Sequence, residues 1–311
     1  MNKMTVLITG GCGFIGSNLI NYLTNIGGYR IRVIDNLSLG SKEAVSGYDV
    51  DFIEADILDE ISVNRALDSV DIVVHLAAHT RVIESIDNPA LNFKTNVIGT
   101  YELLTACRQK GITNIINAST GGAILGEATP PINEDMVAKP MSPYGASKLA
   151  AEGYCSAFNH SYGMKASSLR FSNVYGPRSY HKGSVVAHFY KEIIKGNDLV
   201  VYGDGTQTRD FVFIEDLCNG IILALKAERP DVYQLGSGKP TSINQLIDLI
   251  KEVVNDEYSF NVVYKDSRQG EIKHTWTDIA KARKYLSYDA SMDLVKGLEM
   301  TWQWFRKHYK R

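Results

Sequence analysis

The chain has 311 residues, 33 basic and 35 acidic, for a formal net charge of -2. That length suits one large domain or two close-packed ones, and a near-neutral chain without charge blocks argues against nucleic acid as a partner. No apolar run approaches the roughly 18 residues of a membrane span, and Cys12, Cys107, Cys155 and Cys218 lie too far apart for a metal site or a CxxC pair. No metal is expected, and the setting reads as reduced and cytoplasmic. Met1-Asn-Lys-Met leads straight into a strand, so no secretory leader is expected.

In chain order, Val6-Leu-Ile8 forms a short apolar run of the buried parallel-strand kind. Gly10, Gly13 and Gly16 follow, enclosing Phe14 and Ile15, and a helical pattern begins at Ser17. Strand, glycine turn and helix start form a dinucleotide fingerprint. The glycines allow a tight turn, close approach to a pyrophosphate and tight helix–strand packing, while the helix N-terminus offers free N–H groups to phosphate. The next strand ends at Asp35, placed to accept from an adenosine ribose and to repel a 2′-phosphate. The cofactor expected is NAD rather than NADP.

Strands are predicted at 5–9, 30–35, 51–54, 72–77, 114–118 and 165–170, with helices near 14–26, 60–69, 89–109 and 143–162. This alternation predicts an α/β fold with a doubly wound parallel sheet of Rossmann type, whose ligands lie beyond the carboxyl ends of the strands. Asp56-Ile57 follows the third strand, as a helix N-cap or as a contact to adenine. Leu76-Ala77-Ala78 follows the fourth, where small residues let a cofactor lie against the backbone. Ser119 and Thr120 put two hydroxyls at the end of the fifth.

Ser142-Pro-Tyr-Gly-Ala-Ser-Lys148 then opens a helix, with Pro143 suited to its first turn. Tyr144 and Lys148 are four apart on one helical face. A nearby ammonium favours the phenolate, so Tyr144 is expected to have a lowered pKa and to serve as a base. Beyond residue 171 the pattern is less regular, with helices near 183–196, 215–227, 242–254, 279–286 and 291–308. The division expected is a NAD-binding domain at 1–170, rejoined by about 211–228, and a smaller α/β substrate domain at 171–311, with the site between them.

Together these residues resemble the extended short-chain dehydrogenase/reductase family, in particular its nucleotide-sugar epimerases and dehydratases. The resemblance runs along nearly the whole chain. It rests on Gly10-x-x-Gly13-x-x-Gly16, Asp35-Asn36-Leu-Ser38, Asp56-Ile57, His75-Leu76-Ala77-Ala78, Asn96-Val-x-Gly99-Thr100, Tyr144-x-x-x-Lys148, Arg170-Phe-Ser-Asn173-Val-Tyr-Gly-Pro177, Gly203-Asp-Gly-x-Gln-x-Arg209-Asp-Phe-Val and Arg268-x-Gly-Glu271. It implies that the glycine turn with Phe14 and Ile15, Asp35, Asn36, Ser38, Gly40, Asp56, Ile57, residues 76–78 and Asn96 hold NAD together with Tyr144 and Lys148. It also implies that Tyr144 takes the proton of a sugar 4-hydroxyl, that Lys148 orients the nicotinamide ribose, and that a hydroxyl at the end of strand five positions the reacting oxygen. The strand count selects Thr120, with Ser119 as the alternative. Asn173, Ser184, Arg209, Arg268, Glu271 and Thr275 are implied on the substrate side, the two arginines on its diphosphate.

Within the family, 4,6-dehydratases carry an Asp-Glu pair directly after the catalytic Thr, where this chain has Gly121-Gly122. The resemblance therefore implies 4-epimerisation of a UDP-hexose with NAD as a regenerated cofactor. The small Thr275 implies room for an N-acetyl group. A dehydratase, a 4-reductase, a UDP-glucuronate 4-epimerase and a non-catalytic NAD(H)-binding regulator are the alternatives. A homodimer is also implied, paired through the helices near 89–109 and 143–162, with Leu103, Leu104, Leu149 and Phe158 expected beyond the core-facing stripe.

Overall fold

The computed structural model describes residues 3–255, 258–267 and 272–309. Strand β1 (Met4–Thr9) leads to α1 (Phe14–Ile26), β2 (Tyr29–Asp35), β3 (Val50–Glu54), α2 (Glu60–Ala66) and β4 (Ile72–His75). Helices α3 (Val82–Asp87) and α4 (Pro89–Phe93) are short. A π turn at Lys94–Ile98 then feeds α5 (Gly99–Gln109), followed by β5 (Asn114–Thr120), α6 (Pro143–Tyr162) and β6 (Lys165–Phe171). The later elements are β7 (Asn173–Tyr175), α7 (Val185–Lys195), β8 (Leu199–Tyr202), β9 (Thr208–Phe213), α8 (Ile214–Leu225), β10 (Val232–Leu235), β11 (Pro240–Ser242), α9 (Ile243–Val254), β12 (Val262–Lys265), α10 (Ala280–Leu286) and α11 (Leu294–His308).

Seven parallel strands form the main sheet in the order β10-β6-β5-β4-β1-β2-β3. The order reverses between β1 and β4, the crevice where such sheets bind ligands. Pleat alternation sends Leu7, Val73 and Ile115 to one face, into a core with α2, α5 and α6, and Val6, Ile8, Val74 and Ile116 to the other, into a larger core. Residues 211–213 belong to β9 in a separate three-stranded sheet with β7 and β11. It is β10 that pairs with β6 in the main sheet.

The stretch 89–109 is continuously helical, as expected: Asn88 caps it at α4, and the π turn at Lys94–Ile98 within it carries Asn96 out of the regular α register before α5. One expectation is corrected here. Leu103, Leu104 and Phe158 are not outward-facing; they are buried in the core between α5, α6 and the sheet, and Leu149 packs on a small cluster of Ile124, Leu125 and Ile132. Truncating Leu104 to Ala would cost about 2–5 kcal/mol on ordinary core energetics.

Candidate active site

The glycine turn is set by contacts that exclude a side chain. Gly10 has φ +69°, and a Cβ there would stand 2.7 Å from the Ala77 nitrogen. A Cβ on Gly16 would meet the Gly11 Cα at 2.5 Å, so α1 starts directly against the turn. Asp35 is buried, its Oδ2 accepting from the Cys12 N–H at 2.9 Å and its Oδ1 from the Leu37 N–H at 2.8 Å. Burial raises its pKa, and these two donors oppose the rise. Asn36 donates to Asp56 Oδ2 at 2.8 Å and accepts from the Ser38 N–H at 3.1 Å. Asp56 also accepts from the Leu58 N–H, while the cap of α2 is Asp59. A Cβ on Gly40 would meet the Cys12 carbonyl, so the loop after β2 lies against the glycine turn. The N–H groups of Phe14 and Ile15 at the start of α1, an acid at the end of β2 and small residues at 76–78 fit a dinucleotide, with pyrophosphate at α1 and the adenosine ribose at Asp35.

A buried network behind residues 76–78 was not foreseen from the sequence. Thr9 Oγ1 accepts from the N–H groups of Leu76 and Ala77 at 3.2 and 3.1 Å, and lies 2.7 Å from His75 Nδ1. His75 Nε2 lies 3.0 Å from Thr100 Oγ1, whose own proton goes to the Asn96 carbonyl at 2.7 Å. Counting protons, Nε2 donates to Thr100 and Nδ1 accepts from Thr9. Burial, with the Lys148 charge adding to it, pushes the His75 pKa down to about 3, so the ring is neutral. Asn96, expected to contact the cofactor, commits its amide elsewhere: Oδ1 accepts from the His79 N–H, and Nδ2 donates to the His79 carbonyl and to Ser147 Oγ. Its place is to hold the turn after β4 against α6.

At the end of β5 the two adjacent hydroxyls part. Ser119 is buried and donates to Glu152 Oε1 at 2.6 Å. Glu152 also takes a bidentate fork from Arg170, at 2.9 and 2.8 Å, with both side chains only 5% exposed. Thr120 instead lies beside the Tyr144 phenol and acts to lower its pKa. Ser142 caps α6 and Pro143 fills its first turn. The Tyr144 N–H donates to Ser85 on α3 at 3.1 Å. Lys148 Nζ donates to the Ala118 carbonyl at 3.0 Å, and burial brings its pKa down to about 8. The expected lowering of the Tyr144 pKa is corrected: burial of the phenol pushes it up to about 12, and the opposing influence is Thr120 rather than Lys148. The ammonium is engaged at the Ala118 carbonyl, while a phenolate in this dry position lacks solvation.

Sites far apart in sequence meet around Gly121-Gly122. Thr275 Oγ1 lies 3.6 Å from where a Cβ on Gly122 would stand, and Gln234 Oε1 lies 3.0 Å from the same point on Gly121. Asn173 opens β7, in register with Phe211 of β9. Arg209 donates to the carbonyls of Thr208 and Lys273. Its neighbour Asp210 was missed as a hub: it accepts from the N–H groups of Ser237, Gly238 and Thr277 and from the hydroxyls of Ser237 and Thr277. Only its place in the Arg209-Asp-Phe-Val motif pointed to it. Ser184 precedes α7 with a buried hydroxyl that has no hydrogen-bond partner among the described residues. Arg268 and Glu271 lie outside the described residues. Among the described residues no helix is long and apolar enough to cross a membrane.

A Rossmann sheet with a dinucleotide turn, an acid closing β2 and a Tyr–Lys pair opening α6 defines an NAD-binding enzyme of the short-chain dehydrogenase/reductase type. The model of the NAD dependent epimerase/dehydratase family matches residues 6–236. A putative UDP-glucose 4-epimerase of Methanocaldococcus jannaschii is 35% identical, over 97% of this chain and 99% of that protein. The UDP-glucose 4-epimerase of Thermotoga maritima, solved with UDP-glucose, superposes with a TM-score of 0.93 at 37% identity, covering 98% of this chain and 99% of that one. The UDP-N-acetylglucosamine 4-epimerase of Methanobrevibacter ruminantium M1, solved with UDP-N-acetylmuramic acid, gives 0.92 at 32% identity, covering 99% of both. The chain belongs to the NAD-dependent epimerase/dehydratase family, and NAD is its cofactor.

Proposed function

We propose that the protein is a UDP-hexose 4-epimerase that interconverts UDP-glucose and UDP-galactose and accepts the N-acetylated pair. The observation that supports this most is the Gly121-Gly122 turn beside Thr120. The turn has no acid or base to offer for eliminating water, and the space beside Gly121 is filled by the Gln234 amide. What remains is oxidation at C4, rotation of the keto sugar and reduction on its other face.

NAD, when bound, supplies the hydride acceptor and donor for C4 and a positive charge that favours a phenolate. Thr120 orients the C4 oxygen. Tyr144 takes the 4-hydroxyl proton, holds it while the sugar turns, and gives it back. Lys148, protonated at neutral pH, orients the nicotinamide ribose. Arg209 and Arg268 meet the diphosphate and Asn173 the sugar nucleotide, with Ser184 and Glu271 also on the substrate side. The similarity to proteins named for UDP-glucose and UDP-N-acetylglucosamine supports both substrates. Tyr144→Phe tests the reading. It should cut turnover by about 1,000-fold, within the range of general-base removal, and leave NAD bound. Full turnover in this variant would refute it.

The same reading carries a cytoplasmic homodimer. Tyr101 on α5 and Tyr154 and Tyr162 on α6 are exposed, with the first two rings 5.4 Å apart, and support a two-fold contact there. A monomer by light scattering at micromolar concentration would refute it.

A further inference from the structure

The segment after β7 crosses from the substrate side to the loop that follows β2. Arg178 is its pivot. This residue sits in the left-handed region with φ +67°, a conformation a non-glycine residue holds only when its surroundings enforce it. Its guanidinium donates to the Ala44 carbonyl at 3.2 Å and to the Tyr48 hydroxyl at 2.6 Å, and it lies over the Tyr48 ring. The Tyr48 hydroxyl passes its own proton to Asn21 on α1 at 3.0 Å. One residue earlier, the Pro177 carbonyl accepts from Asn18, whose amide also holds the Phe14 carbonyl at the glycine turn. The sequence thus reaches back 130 to 159 residues, at two adjacent positions, to the glycine turn and to the loop after β2.

We propose that residues 176–182 form a clasp that retains the dinucleotide, with Arg178 as the positioning residue. The proposal rests on the NAD site described above and not on the choice of sugar. An enzyme that returns the same hydride must keep its dinucleotide through both half-reactions. At the site described above the dinucleotide would lie between the glycine turn and the loop of residues 36–48, and its release would require that loop to move. A planar guanidinium that bridges a carbonyl and a hydroxyl four residues apart fixes the loop, which a point-charge ammonium does less well. Because the clasp continues directly from Asn173, the substrate side and the cofactor loop are held by one segment.

Arg178→Gly is the informative variant, since glycine takes φ +67° without strain and the change removes the side chain with its guanidinium contacts. Release of NADH is followed by fluorescence in stopped flow with no sugar nucleotide present, so an error in the assigned substrate leaves the readout intact. Dissociation should speed up by about tenfold or more, the scale of losing one charge-assisted hydrogen-bond pair. The thermal midpoint of the NAD-free variant should be unchanged or higher. Tyr48→Phe, which removes only the acceptor hydroxyl, should speed release in the same direction. The double variant should release NADH no faster than Arg178→Gly alone, because the two residues act through one contact. Unchanged release in Arg178→Gly, additive effects in the double variant, or faster release only together with a lowered NAD-free midpoint would each overturn the clasp.

Discussion

Ser119 and Glu152 are locked together in the buried layer under α6, the hydroxyl donating to the carboxylate at 2.6 Å. That bond removes one of two candidate hydroxyls from the cleft and leaves Thr120 to face Tyr144. Thr120→Val should lower kcat by about 100-fold, the scale of one lost transition-state hydrogen bond. Ser119→Ala should mainly lower stability, by about 1–3 kcal/mol, since it leaves a buried carboxylate oxygen short of a donor. Steady-state kinetics and thermal unfolding of both variants check this. The reverse pattern would assign the catalytic hydroxyl to Ser119.

Asp35 predicts a cofactor preference. Its buried carboxylate lies where a 2′-phosphate would sit, and like charges in contact cost at least about 1.4 kcal/mol, a factor of ten in affinity. Calorimetry should show NAD preferred over NADP by that factor or more, and Asp35→Ser should narrow the gap. Equal affinities in the wild type would contradict the assignment.

Thr275 stands beside the Gly122 backbone, and its side chain sets the free space there. Thr275→Tyr should reduce kcat/KM for UDP-N-acetylglucosamine by about 100-fold while sparing UDP-glucose, because a ring in that space excludes the acetyl group by contact. Equal loss on both substrates would place the gate elsewhere.

His75 predicts a pH dependence of stability. Its pKa is depressed in the folded protein, to about 3 against an ordinary value of 6.5. Below 6.5 the unfolded chain binds the proton and the folded chain does not. The contribution of neutral His75 is therefore complete above pH 6.5 and is lost as pH falls toward 3, with a slope of at most about 1.4 kcal/mol per pH unit. Denaturant titrations of wild type and His75→Gln between pH 4 and 7 should show a shallower dependence in the variant. Parallel curves would remove His75 from the account.

The main sheet and the dinucleotide turn were legible because they depend on local pattern: apolar runs such as Val6-Leu-Ile8, a glycine spacing, and an acid at a strand end. What stayed hidden depends on contacts between distant segments. The directional chain Thr9–His75–Thr100 joins two strand ends to a helix, and the Asp210 hub ties β9 to residues 237–238 and 277. Motifs contain His75, Thr100 and Asp210, but no local pattern reports which distant groups they bond. Leu103, Leu104 and Phe158 were misread because α5 and α6 face both the sheet and each other, so their apolar surface is wider than one stripe. The Tyr144 pKa was misjudged for a related reason. Spacing puts Lys148 on the same helical face, but only the packed structure shows its ammonium directed to the Ala118 carbonyl and the phenol buried.

The most direct test of the central claim is proton NMR of the purified protein with UDP-glucose and, separately, UDP-N-acetylglucosamine. The account predicts that each sugar converts to an equilibrium mixture with its C4 epimer, without net consumption of NAD and with no deoxy sugar formed. Accumulation of a 4-keto-6-deoxy sugar, or turnover confined to UDP-glucuronate, would contradict it.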